Sequence, residues 1–411
     1  MDISVNFFES DKFKSNFISV EFIAPLDSHA AENELLMNVI RRGTEKHPTL
    51  KSVEKELDML YDCSIENISS FIGKYHTFGF SIDALKPEYT GGVDTAFGAL
   101  DLVGEMLRCP LISDEITESE KKIAIDKVRS RINDKSSYSI YRAFKTFDPD
   151  MRVSSFETEE EISKITPSDL RAALERNLKN SPVVVCCTGK FDKEKITEKI
   201  NGIFGGPERE CGDVECAEIR RQTCREPSEV TEETDSQQSK LCMIYTTGIN
   251  KASENYPAYM VFMSMLATSP VSRLFMNVRE KQSLCYYIYP IGIKATGTIC
   301  VTAGIDACNF EKARNAVVAE IDAFCRGDFT DEEVDIAKKS IYSSRIAAGD
   351  NPGFPRSEMK MNMFTGCRKT GSELVSEAMK VTPEEIVAVA KQLRLEEVYF
   401  LRGIEEAENG D

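Results

Sequence analysis

Only three histidines occur in these 411 residues, His29, His47 and His76. A catalytic zinc needs three converging protein ligands and an open position, and histidines this scattered do not supply them. His47 precedes Pro48 in a turn pattern, and His76 falls inside a hairpin pattern. His29-Ala30-Ala31-Glu32-Asn33 reads His-x-x-Glu-Asn, one histidine short of a helical metal motif. Thirteen cysteines are spread along the chain without a Cys-x-x-Cys pair. Cys211, Cys216 and Cys224 crowd a polar segment, but three irregularly spaced thiols with no nearby histidine are a weak zinc signal. Cys186-Cys187 lies in an apolar run and reads as core thiols. No Gly-x-Ser-x-Gly and no Gly-x-x-x-x-Gly-Lys-Ser/Thr occurs, so neither a serine elbow nor a phosphate-cradling loop is expected.

The elements that would carry these residues occur twice. Ile82-Asp83-Ala84 returns as Ile305-Asp306-Ala307, Ser130-Arg131-Ile132 as Ser344-Arg345-Ile346, and Lys164-Ile165-Thr166-Pro167 as Lys380-Val381-Thr382-Pro383. Each half ends on a β-branched or aromatic run closing at glycine, Val183–Gly189 and Val398–Gly403. The spacing is that of a domain, far beyond solenoid periods of about 20–50 residues. Ile18, Val20 and Phe22 alternate with Ser19 and Glu21 as in a strand. Residues 32–41 and 49–60 read as helices, and 67–85 as a hairpin broken at Gly73 and Gly79. Val93, Phe97, Leu100 and Leu107 share a helical face, and a charged helix runs over about 114–133. In the second half, 241–246 reads as a strand, 255–267 as a helix and 285–305 as strands. Helices at 330–347 and 383–393 then lead to a last strand near 398–401. Hairpins mixed with helix pairs in each half give an α+β fold rather than a doubly wound sheet. The boundaries are 1–205, a polar linker 206–227 opening at Gly205-Gly206-Pro207, and 228–411.

Two segments carry a family resemblance. Arg41-Arg42-Gly43-Thr44-Glu45-Lys46 follows an apolar helix, and Val278-Arg279-Glu280-Lys281-Gln282-Ser283-Leu284-Cys285-Tyr286-Tyr287 stands at the matching place in the second half. With the duplication, they resemble the pitrilysin/insulinase family of zinc peptidases. Active members of that family carry His-x-x-Glu-His on the helix before the Gly-Thr. Two histidines bind zinc, the glutamate activates water, and a glutamate on a later helix is the third ligand. Counting back nine residues from Gly43 places Glu34 and Asn38 where the histidines would be, and Met37 at the base. The third-ligand position falls near Asp126-Lys127, in the reading preferred here at Lys127. His29 is 14 residues before Gly43, in the wrong register. The resemblance implies that Arg279 and Tyr286 contact substrate, binding the peptide carbonyl and steadying a developing oxyanion. Both are then expected to face an internal cavity. Read without the resemblance, Arg279 pairs with an acidic residue and Tyr286 caps a core strand.

The resemblance implies a fold of two homologous α+β domains, each a mostly antiparallel sheet covered by helices. It further implies a non-catalytic subunit, similar to bacterial members that lack the motif and accompany an active paralogue. One such group is named for association with elongation factor P 5-aminopentanol modification. Zinc is then expected in the partner and no cofactor in this chain. The partners are a related zinc peptidase chain with the intact motif and a peptide; a homodimer is the other pairing left open. Two alternatives stand beside this, a peptide-binding scaffold without proteolysis and a divergent hydrolase with an unrecognised centre. A net charge of −17 shows no basic footprint for nucleic acid. No run of about 18 apolar residues and no leader pattern is seen at Met1–Glu9, so the expected location is the cytoplasm, with reduced cysteines and no membrane.

Overall fold

The computed structural model describes residues 2–205, 209–220, 222–223, 226–269 and 271–404. They divide into two compact units, each built on its own five-stranded sheet. The first unit takes residues 1–129, 154–215 and 351–360; the second takes 130–153, 216–350 and 361–411.

In the first unit the strands are β1 (Ile3–Glu9), β2 (Ser15–Pro25), β3 (Ser64–Ile72), β4 (Tyr75–Leu85) and β5 (Val183–Gly189). Their spatial order is β1-β5-β2-β4-β3, with β1 and β5 parallel and every other pair antiparallel. The second unit repeats this with β6 (Ser228–Asp235), β7 (Ser239–Thr246), β8 (Tyr287–Ile293), β9 (Thr298–Ile305) and β10 (Arg394–Ile404). Here the order is β6-β10-β7-β9-β8, again with only the first pair parallel. The duplicated, mostly antiparallel α+β fold expected from the repeats is the observed one.

The helices begin where local chemistry starts them. Thr49, Thr166, Thr330 and Thr382 each cap a helix by accepting a backbone N–H, and a residue three positions on reaches back. Such reciprocal capping satisfies donors that the first turn leaves unpaired. The charged helix runs over Asp114–Asn133, within the expected bounds. Val93 lies before the helix Thr95–Arg108 and is exposed, so it does not share that helix's buried face. The hairpin turns at Gly73, whereas Gly79 sits inside β4. A Cβ at Gly79 would stand 2.0 Å from the Val20 carbonyl oxygen, so the close strand approach requires glycine.

Both faces of each sheet are covered. On β2, Ile18, Val20 and Phe22 are buried in the main core, as alternation predicts. Ser19 and Glu21, the polar alternates, are buried as well. Residues 351–360 belong to this unit, and Lys360 Nζ stands 2.5 Å from Glu21 Oε2 while donating to Ser70 and Thr77 at 2.9 Å. In the second unit the helix Lys135–Phe147 covers the corresponding face. Ala143 and Phe144 pack with Cys242, Ile244, Cys300, Tyr399 and Leu401. Arg142 binds Glu232 at 2.5 Å, and Thr146 donates to Glu397 at 2.6 Å.

Candidate functional site

The helix Ala30–Arg41 carries Glu34, Met37 and Asn38, where the family resemblance would put the zinc motif. It is apolar around most of its circumference, and Leu35, Leu36, Met37, Val39 and Ile40 are buried in the first core. Glu34 and Asn38, one turn apart, share the half-buried face. Strands β3 and β4 supply their neighbours. Asn38 Oδ1 accepts from Asn67 Nδ2 at 2.8 Å, and Glu34 Oε2 accepts from Ser155 Oγ at 3.3 Å. His76 is fully buried, with its Nε2 3.9 Å from Glu34 and 2.9 Å from Ser69 Oγ. Its ring packs between Phe71 and Phe78.

Whether this set suits a zinc ion can be judged from the donors. Asn38 spends its carbonyl on Asn67, Met37 is enclosed in hydrocarbon, and the thioether cannot accept a proton from water. Lys127 is exposed on the helix Asp114–Asn133. Its charge, like that of Arg42, partly offsets the burial that pushes the Glu120 carboxyl above its ordinary range. Glu120 pairs with Arg42 at 3.2 Å. Among the described residues no three His, Cys, Asp or Glu side chains converge as a metal cluster. The residues present do not fit the catalytic zinc of an active peptidase.

His29 lies at the helix start and pairs with Glu32 at 2.9 Å; His47 faces Glu105 at 3.6 Å. Cys211 contacts Asp2 and Arg209, and Cys216 contacts the Met363 carbonyl. Cys224 lies outside the described residues. Cys186 and Cys187 are buried in β5, and burial pushes the Cys186 thiol up to about 12. Sequence reasoning missed the approach of His76 to Glu34. The hairpin register that aligns Phe71 with His76 was its only local signal.

The second candidate set stands at the start of β8. Leu274–Lys281 is wound as a π-helix, a rare form that often accompanies functional sites. Arg273 anchors its start through Glu333 and Glu320. Arg279 projects from its last turn, with the guanidinium 4.7 Å from the Phe275 ring centroid and 3.6 Å from Glu280. Ser283, at φ +52°, turns the chain back. The Tyr286 N–H then bonds the Gly304 carbonyl, leading into β8. Arg279, Glu280, Cys285, Tyr286 and Asp306 line one open depression of about 390 Å³. The Tyr286 hydroxyl donates to Asp306 Oδ1 at 2.7 Å. That bond is the first cause holding the phenol's pKa above its usual value. Burial raises the Cys285 thiol to about 11, with Arg279 opposing. The pair therefore lines a surface depression, and Tyr286 is 56% exposed, not enclosed as expected.

Comparison with known proteins bears on the fold. Residues 164–341 match the Peptidase M16 inactive domain. The chain is 26% identical over 416 residues to a Bacillus subtilis protein described as a probable inactive metalloprotease, YmfF, covering 98% of this chain and 97% of that one. It is 21% identical to an uncharacterized zinc protease of Streptomyces coelicolor over 72% of this chain and 66% of that protein. Among solved structures, a conserved protein from Enterococcus faecalis V583 superposes with a TM-score of 0.90 at 24% identity, covering 98% and 96% of the two chains. A Pseudomonas fluorescens structure described as a peptidase M16 inactive domain has a TM-score of 0.76 at 15% identity, over 97% and 96%.

Proposed function

We propose that this chain is an M16-peptidase-like protein, similar to the pitrilysin/insulinase peptidases, that serves as the non-catalytic subunit of a two-chain zinc peptidase of that type. One observation carries the reading. Arg279 and Tyr286, which would hold substrate in a composite site, line a single depression. The half that would hold metal is replaced by Glu34, Met37, Asn38 and Lys127. A chain in that state has a use beside a related chain that carries His-x-x-Glu-His and brings the zinc.

In this reading Arg279 binds a peptide carbonyl, and its stacking on Phe275 keeps the guanidinium in place without a ligand. Tyr286 contacts the same segment. The complex is a cytoplasmic heterodimer. Among the described residues no helix is long and apolar enough to cross a membrane, which is compatible with this.

The test is to mix the purified chain with such a zinc peptidase, following mass by light scattering and cleavage with a peptide library. Heterodimer formation and cleavage that depends on this chain are expected. If the chains stay apart, or the zinc chain cleaves equally well alone, the subunit reading fails and a peptide-binding scaffold takes its place.

A further inference from the structure

We infer that Asp306 turns the Tyr286 depression into an acceptor site that selects a basic side chain on the bound peptide. The inference rests on the reading of Arg279 and Tyr286 as peptide contacts and adds what chemistry they prefer.

A phenol has one proton to donate and lone pairs to accept with. The Tyr286 hydroxyl lies 2.7 Å from Asp306 Oδ1, and an ionised carboxylate can only accept. The proton is therefore engaged, and Tyr286 cannot give it to a peptide carbonyl at the same time. What the pair offers outward is acceptors only, the phenol oxygen and the carboxylate. This departs from the donor role that the family resemblance implies for this tyrosine.

The arrangement is fixed by the sheet, not by a ligand. Tyr286 leads directly into β8, and Asp306 directly follows β9, its neighbour. Tyr287 and Gly304 are register partners on those strands. Among the described residues the other carboxylate oxygen of Asp306 receives only a long contact, 3.5 Å from Asn309 Nδ2. Among the described residues Asp306 makes no ion pair, whereas Arg279 already faces Glu280. Two carboxylates and one guanidinium thus line the depression, leaving net negative charge at the Tyr286 end.

A lysine ammonium or arginine guanidinium carries donors and no acceptor, so it complements this end. A neutral amide could donate one bond, but charge-assisted bonds are roughly twice as strong. The chain's formal charge of −17 draws cations from a distance, while Asp306 supplies the local contact.

The experiment uses the full chain and two fluorescein-labelled extended peptides that differ only by a central lysine or norleucine. Anisotropy titration at low ionic strength should show the lysine peptide binding about fivefold tighter, a partly exposed charged contact. Asp306→Asn should bring the two affinities together, and raising salt should do the same in the wild type. Tyr286→Phe should weaken both peptides but keep the preference, because the carboxylate remains. Equal affinities in the wild type would overturn the selectivity while peptide contact stands. Preference that survives Asp306→Asn but vanishes in Tyr286→Phe would also overturn it. No binding of either peptide would remove both this inference and the peptide-contact reading.

Discussion

Replacing Lys360 by methionine should loosen the first unit by about 3 kcal/mol, a value that follows from what the ammonium holds. Its side chain is 4% exposed and that of its partner Glu21 is 1% exposed. The ammonium meets Glu21, Ser70 and Thr77 together. Removing one member of a buried pair costs about 3–5 kcal/mol, because the other charge is left without compensation. Arg356 stands 3.6 Å from the other Glu21 oxygen, which places the cost at the low end. Ser70 and Thr77 still bond each other at 2.8 Å. About 3 kcal/mol is roughly two decades in an opening constant. Hydrogen exchange of β2 amides and proteolysis within 351–360 read that local opening directly. The pair also has a pH signature. Burial, opposed by Glu21, lowers the Lys360 pKa below 10.5. The unfolded chain then holds this proton more tightly than the folded one. Stability from this group therefore rises as pH climbs through the folded pKa toward 10.5, and Lys360→Met should abolish that rise. Glu21→Met with Lys360→Met should cost less than Lys360→Met alone, since no unpaired carboxylate remains. A single-variant cost below about 1 kcal/mol, or a double variant equal to the sum of the singles, would refute the reasoning.

Gly79→Ala should destabilise the first unit by about 2–3 kcal/mol, because its Cβ would meet the Val20 carbonyl oxygen at 2.0 Å; urea titration followed by β2 exchange checks this. Burial raises the pKa of Glu397 above 4.5, against hydrogen bonds from Thr146 and Ser228. Its contribution is present below pH 4.5 and lost as pH rises through the folded pKa, so Glu397→Gln should gain on the wild type across that window. Parallel Tm-versus-pH curves for the two proteins would speak against it. Purified alone, the chain should bind no stoichiometric zinc at Glu34 and Asn38 and cleave no peptide. Metal analysis with a library digest tests this, and one zinc per chain with chelator-sensitive turnover would overturn it. In the proposed heterodimer, Arg279→Ala should lower turnover more than thermal stability; unchanged turnover with full assembly would count against substrate contact.

What the sequence determined by itself is the part encoded in neighbours along the chain. Alternation marked β2, and short segments recurring at the spacing of a domain announced two copies of one fold. Glu34, Met37 and Asn38 could be picked out as well, because the family resemblance sets a short count back from Gly43. Edge strand β6, Ser-Glu-Val-Thr-Glu-Glu-Thr-Asp, escaped notice because its residues are largely exposed and it bonds only β10. Glu21 is a polar alternate of β2, yet it is buried under a lysine 339 residues away in the chain. The helix Lys135–Phe147 likewise packs on β7 and β10 instead of the sheet of its own sequence copy. Such pairings leave no periodic trace, since each partner's local pattern is the same whether or not the other arrives. The meeting of His76 with Glu34, and of Tyr286 with Asp306, has the same origin. Strand register sets which side chains stand together, and through the proton that Tyr286 gives to Asp306 it sets which chemistry the candidate site can offer.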